Sequence, residues 1–137
     1  MSSSSVACQD RPKAVTSFQS ASRDQLRPRT RAFALRVVNV AETLPKTRAG
    51  NHFANQLLRS GTSVGANYRA ACRARSAAKF CSKLGIVEEE ADESIFWLEM
   101  LVDANLLPKQ RLEPLMHEAN ELLAMVVSSI KTARRSK

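Results

Sequence analysis

The chain reads as all-α: an antiparallel up-down-up-down four-helix bundle behind a disordered N-terminal leader. Three observations predict this. Apolar residues recur at helical spacing in successive segments. No stretch alternates apolar and polar residues as a half-buried strand does. The joints between segments are short, which makes neighbouring helices antiparallel. A length of 137 residues fits one domain, divided into a leader over residues 1–29 and a bundle over residues 30–137.

The leader is rich in Ser, Arg and Gln, with only scattered apolar residues. Such a composition buries too little surface to order itself. It lacks the apolar core of a secretory signal, and Asp10 and Asp24 argue against an organelle transit peptide. No apolar run approaches the ~18–20 residues of a membrane span. A cytoplasmic protein with no membrane partner is expected.

The first helix is expected from about Thr30 to Leu44, with Phe33, Val37, Val40, Ala41 and Leu44 on one face. Pro45 ends it by pushing the preceding residue out of helical geometry. Gly50 and Asn51 open the second, which runs to about Ala74 with Phe53, Leu57, Gly61, Val64, Tyr68 and Ala71 inward. Glycine inside a helix costs about 1 kcal/mol relative to alanine. Gly61 and Gly65 therefore suggest another helix packing closely there. Ser76 is a plausible N-cap for the third helix, about Ala77 to Asn105. Its stripe is Phe80, Leu84, Val87, Ala91, Ile95, Leu98 and Val102. The fourth starts near Gln110 and tolerates Pro114 in its first turn. Leu115, Ala119, Leu122, Val126 and Ile130 face inward, and the terminal Arg134, Arg135 and Lys137 suit the helix dipole.

Charge is the least ordinary property. The formal net charge is +8. Between Thr43 and Val87 every charged residue is basic, and between Glu88 and Pro108 every one is acidic. Both blocks fall on amphipathic helices, so the charges occupy defined faces and can steer partners. A basic balance favours polyanions such as nucleic acid, and solubility alone also produces it. Advancing ~100° per residue places Arg59, Arg69 and Arg73 on one outward face of the second helix. Arginine's planar fork matches phosphate oxygens; a solvated face is the plain alternative. The nucleic-acid-binding candidates are Arg59, Arg69, Arg73, Arg75, Lys79 and Lys83. On the third helix Glu88, Asp92, Glu99 and Asp103 form an acidic face, while Ile86, Phe96, Trp97, Met100 and Leu101 lie outside the core stripe. A monomer rarely exposes so large an apolar patch, so these residues are the candidate oligomer interface. Acidic and basic faces of different copies can meet there and set their register.

Catalytic and metal signals are weak, and no catalytic residue, metal site or cofactor is expected. Gly61-Thr62-Ser63-Val64-Gly65 fits the G-x-S-x-G pattern, but a nucleophile elbow needs a strand-to-helix turn that this helical stretch does not supply. His52 and His117 have no ligand-spaced partner, and Glu-x-x-His, which a di-iron bundle needs, does not occur. Cys8, Cys72 and Cys81 form no C-x-x-C pair and read as reduced thiols.

The run Leu57-Leu58-Arg59-Ser60-Gly61-Thr62-Ser63-Val64-Gly65-Ala66-Asn67-Tyr68-Arg69-Ala70 resembles the signature of the four-helix proteins encoded in intervening sequences of bacterial 23S rRNA genes. Lys79-Phe80, Lys83-Leu84, Glu90-Ala91-Asp92-Glu93-Ser94, Trp97-Leu98-Glu99, Glu121-Leu122-Leu123 and Ser129-Ile130-Lys131-Thr132-Ala133 agree with it. The resemblance covers about Phe33 to Arg135. It implies a homopentamer with a central channel, and kinship with the basic, nucleic-acid-binding accessory variability protein of diversity-generating retroelements. It implies no enzyme chemistry and no settled activity. Arg59, Asn67, Tyr68, Arg69, Glu90, Asp92, Glu93 and Trp97 fall on family-motif positions. The resemblance does not assign which of these bind a ligand and which hold the bundle together; Asn67, Glu90 and Asp92 serve equally well as packing or interface polar groups, and Glu90 is also counted in the candidate oligomer interface. A protein-interaction scaffold without nucleic-acid binding is the alternative function, with a protein partner in place of nucleic acid.

Overall fold

Each of the four apolar stripes closes onto the same core. The computed structural model describes the backbone of residues 13–135 and the side chains of residues 25–135. Helix α1 spans Lys13–Glu42, α2 Arg48–Cys72, α3 Ala77–Asp103 and α4 Lys109–Arg135. Among the described residues there is no strand. Each helix packs on the next, and α4 closes back on α1.

The start of α1 corrects the expected boundary at residues 29 and 30. The helix is already formed at Lys13, well before Thr30. Leu26 is fully buried in the core, and Arg29 binds α4, so residues 25–29 belong to the bundle. Residues 1–12, the rest of the expected disordered stretch, lie outside the described residues. Pro28 sits inside α1 and deprives the carbonyl of residue 24 of its helical donor.

α2 opens at Arg48, before the expected Gly50–Asn51, because Thr47 caps it: its hydroxyl accepts the Gly50 amide at 3.0 Å. Gly50 packs against the preceding turn. A β-carbon there would fall 2.1 Å from the Pro45 carbonyl oxygen, so only glycine fits. Ser76 caps α3 as expected, accepting the Lys79 amide at 3.1 Å. α3 stops at Asp103, and Asn105 takes a left-handed conformation (φ 59°). The amide of Asn105 donates to the Val102 carbonyl and that of Leu106 to the Leu101 carbonyl. This Schellman pairing satisfies the last carbonyls of the helix. Pro114 lies beyond the first turn of α4, which begins at Lys109, so the Gln110 carbonyl gives up its helical donor.

The expected core positions are buried, apart from Phe53 and Val102, which are half-buried at its edge. Leu101, expected on the outer side of α3, is fully buried. It lies in the core together with Leu98 and Leu112, on the part of α3 that the wheel placed outside the stripe. Two buried hydroxyls cross the α2–α3 seam, Ser94 Oγ lying 3.0 Å from Ser60 Oγ and 2.9 Å from the Glu90 carbonyl.

Candidate nucleic-acid interface

In an alternating bundle, the start of α1, the α2–α3 turn and the end of α4 share one end. Their sequences determine its charge. Arg73 caps the C-terminus of α2, Arg75 lies in the turn, and Lys79 and Lys83 occupy the first two turns of α3. All four side chains are exposed and make no ion pair among the described residues. Lys131, Arg134 and Arg135 are exposed on the last turns of α4. No acidic residue occurs in 69–87 or in 122–135. The opposite end mixes signs, with Glu42, Asp103 and Glu113 among Lys46, Arg48, Lys109 and Arg111. Among the described residues, this end therefore gathers basic side chains without acidic ones, whereas the opposite end mixes them.

The six expected phosphate contacts do not form one set. Arg59 is drawn to α3, where it pairs with Glu90 at 3.3 Å and also with Glu93. These contacts raise the pKa of the guanidinium, the Glu93 hydrogen bond most of all. Arg59 thus spends its charge within the chain. Arg69 turns toward α1, where with Arg27 and Arg31 it edges a groove of about 390 Å³ between α1 and α2. Arg73, Arg75, Lys79 and Lys83 remain together at the basic end. Neither Arg27, assigned to the leader, nor Arg31 stood out in the sequence. Their i, i+4 spacing on one helix is the signal that pairs them.

The acidic residues of α3 divide as well. Glu90 and Glu93 face α2, whereas Glu88, Glu89 and Asp92 line a groove on the α4 side with Gly85, Leu123 and Val127. The Glu93 carboxyl is held below its ordinary value by Arg59 first and by the Trp97 indole second. Trp97 Nε1 donates to Glu93 Oε2 at 3.0 Å.

Of the expected interface residues, only Phe96 is largely exposed, at 49%. Ile86, Glu90, Trp97 and Met100 are half-buried, and Leu101 belongs to the core. Trp97 is wedged between rings: Phe96 edge-on at 4.9 Å, His52 at 5.6 Å and Phe53 at 5.8 Å. Leu35 on α1, 60% exposed, is an apolar surface residue that no sequence signal marked.

Ser63 of the G-x-S-x-G match lies inside α2 and donates to the Arg59 carbonyl at 2.6 Å, so it occupies no elbow. Among the described residues, no group of three or more His, Cys, Asp or Glu is placed to hold a metal ion. No helix among them is long and apolar enough to cross a membrane.

Comparison with known proteins bears on the same scaffold. No curated protein matches the chain. A crystal structure of a protein of unknown function from the S23 ribosomal protein family of Bacteroides thetaiotaomicron is similar, with a TM-score of 0.73 and 35% identity. The match covers 77% of this chain and 98% of that one. The family model described as 23S rRNA-intervening sequence protein matches residues 25–128. It begins where the side chains of α1 enter the core, at Leu26, and it takes in all four helices: the chain belongs to the family of 23S rRNA-intervening sequence proteins.

Proposed function

We infer that this protein is a non-enzymatic, nucleic-acid-binding bundle that engages the phosphate backbone through its basic end. The observation that carries the reading is the exposed group Arg73, Arg75, Lys79 and Lys83, unpaired among the described residues, on a stretch without acidic neighbours. Phosphate contacts of this kind neutralise charge and release counterions, so affinity falls steeply as salt rises and depends little on sequence. Binding of the full chain to labelled RNA and DNA at two salt concentrations tests it.

A second reading rests on Phe96. Its exposed ring, set edge-on against Trp97, suits contact with another copy. The family resemblance makes a homopentamer the expected assembly. The two readings are compatible, since the basic end and Phe96 occupy different parts of the bundle. Were the assembly the whole function, a scaffold without nucleic-acid binding, salt-dependent RNA or DNA binding would not be found.

A further inference from the structure

The groove between α1 and α2 gathers basic side chains around a concavity. Two other arginines of the same helices are matched with carboxylates. Arg29 on α1 binds Glu118 and Glu121, and Arg59 on α2 binds Glu90 and Glu93. Arg27 and Arg31 flank Arg29 on α1, and Arg69 faces them from α2. These three line a single concavity that no described acidic residue lines. Arg31 and Arg69 are exposed and make no ion pair among the described residues. Like charges gathered around a hollow repel one another, and a bound anion reverses the sign of that interaction.

The shape narrows the ligand. The walls are small: Ala34 on α1 and Gly65 and Ala66 on α2 leave the hollow open. Its floor is closed because the helices touch there. A β-carbon at Gly65 would lie 3.4 Å from the Thr30 carbonyl oxygen. The volume of about 390 Å³ is that of a small-ligand pocket. A duplex carries its phosphates on the outside of a wide cylinder and presents no single nucleotide to such a hollow. A single strand can splay one nucleotide into it, and arginine planes accept both phosphates and bases.

We propose that the groove formed by Arg27, Arg31 and Arg69 seats one nucleotide of a single-stranded nucleic acid, its phosphate held among the three guanidinium groups. This rests on the reading of the protein as nucleic-acid-binding and adds single-strand preference to it. The basic end supplies general attraction, and the groove supplies the discrimination between strand forms.

The test uses the full chain with a fluorescein-labelled short oligouridylate and a labelled RNA duplex of equal length at low salt. Ala66→Phe fills the groove from an exposed position without changing charge. Arg31→Ala removes one exposed guanidinium and leaves the core alone. Arg31→Ala is expected to weaken oligouridylate binding about tenfold, the worth of one hydrogen-bonded charged contact, and Ala66→Phe to weaken it at least as much by occupying the groove. Ala66→Phe is expected to leave duplex binding within about twofold. Single-strand binding by both variants equal to that of the original chain overturns the groove and leaves the nucleic-acid reading standing. Equal losses for both strand forms overturn the single-strand preference. Failure of the unaltered chain to bind either form overturns both readings. Should Ala66→Phe melt early, Arg31→Ala decides.

Discussion

Gly61 of α2 lies so close to Val37 of α1 that a β-carbon on it would stand 2.7 Å from Val37 Cγ1 and 2.8 Å from Cγ2. Valine is stiff at χ1 and cannot swing both methyls away. Alanine at 61 therefore overpacks the α1–α2 seam, a cost of about 1–3 kcal/mol, against a helix-propensity gain of about 1 kcal/mol. With the β-carbon of Val37 also only 3.0 Å away, Gly61→Ala is expected to destabilise by up to about 2 kcal/mol net. Gly85 on α3 has nothing within 4 Å of its would-be β-carbon. Gly85→Ala is expected to stabilise by about 1 kcal/mol. Thermal melting should move in opposite directions for the two variants.

The close approach at Gly61 was legible because two glycines four apart inside a helical pattern have few other uses. The stripes were legible for the same local reason, the helical period. The extent of α1 was not. Pro28 and a polar Ser/Arg/Gln run read as unfolded chain, and the groups that secure this segment are remote. Arg29 meets Glu118 and Glu121 at separations of 89 and 92 residues. Leu101 shows the same limit, because a wheel drawn for one helix does not show which direction its neighbours pack from. The charge blocks do fall on helix faces, but their division was not readable. Only the packing shows that Arg59 turns to α3 and Arg69 to α1.

Arg29 fastens α1 to α4. Its guanidinium donates to Glu118 at 2.7 and 2.9 Å and to Glu121 at 2.7 Å, and it lies 3.4 Å from the Met125 sulfur. Both Glu118 hydrogen bonds are partly buried. Discounted for solvent, Arg29→Ala is expected to cost about 1–2 kcal/mol. Hydrogen exchange should rise first in α1, since that variant loosens its tie to α4. Unchanged melting and unchanged exchange in α1 would show the contact to be idle.

The link Arg59–Glu93–Trp97 predicts a pH response. The Glu93 carboxyl titrates below its ordinary value of 4.5, chiefly because Arg59 stabilises the charged form. Glu121 is lowered likewise, by Arg29 first and His117 second. A carboxyl depressed in the folded state contributes stability fully above its unfolded value and loses it as pH falls through the folded one. The melting temperature should therefore hold steady down to about pH 4.5 and drop below it. Trp97, the single tryptophan, should change its fluorescence as Glu93 protonates. In Glu93→Gln the acid-induced change in Trp97 emission should be lost.

Phe96 offers a separable test of assembly. Replacing this exposed ring by serine removes apolar surface without opening the core. Light scattering of the unaltered chain should give a mass several times 15.1 kDa, and Phe96→Ser should lower it at equal concentration. A monomer before substitution, or an unchanged oligomer after it, contradicts a role for this face.

The central claim is that the basic end binds nucleic acid through phosphates, and the most direct measurement is the salt dependence of RNA and DNA binding by the full chain. The same titration is repeated with Arg73, Arg75, Lys79 and Lys83 all changed to alanine. The account predicts binding that weakens steeply with salt, and a quadruple variant that binds more weakly to every sequence tested. Its salt slope should be shallower by about one unit for each phosphate no longer neutralised. Binding that is insensitive to salt, or equally strong after the four replacements, would contradict it.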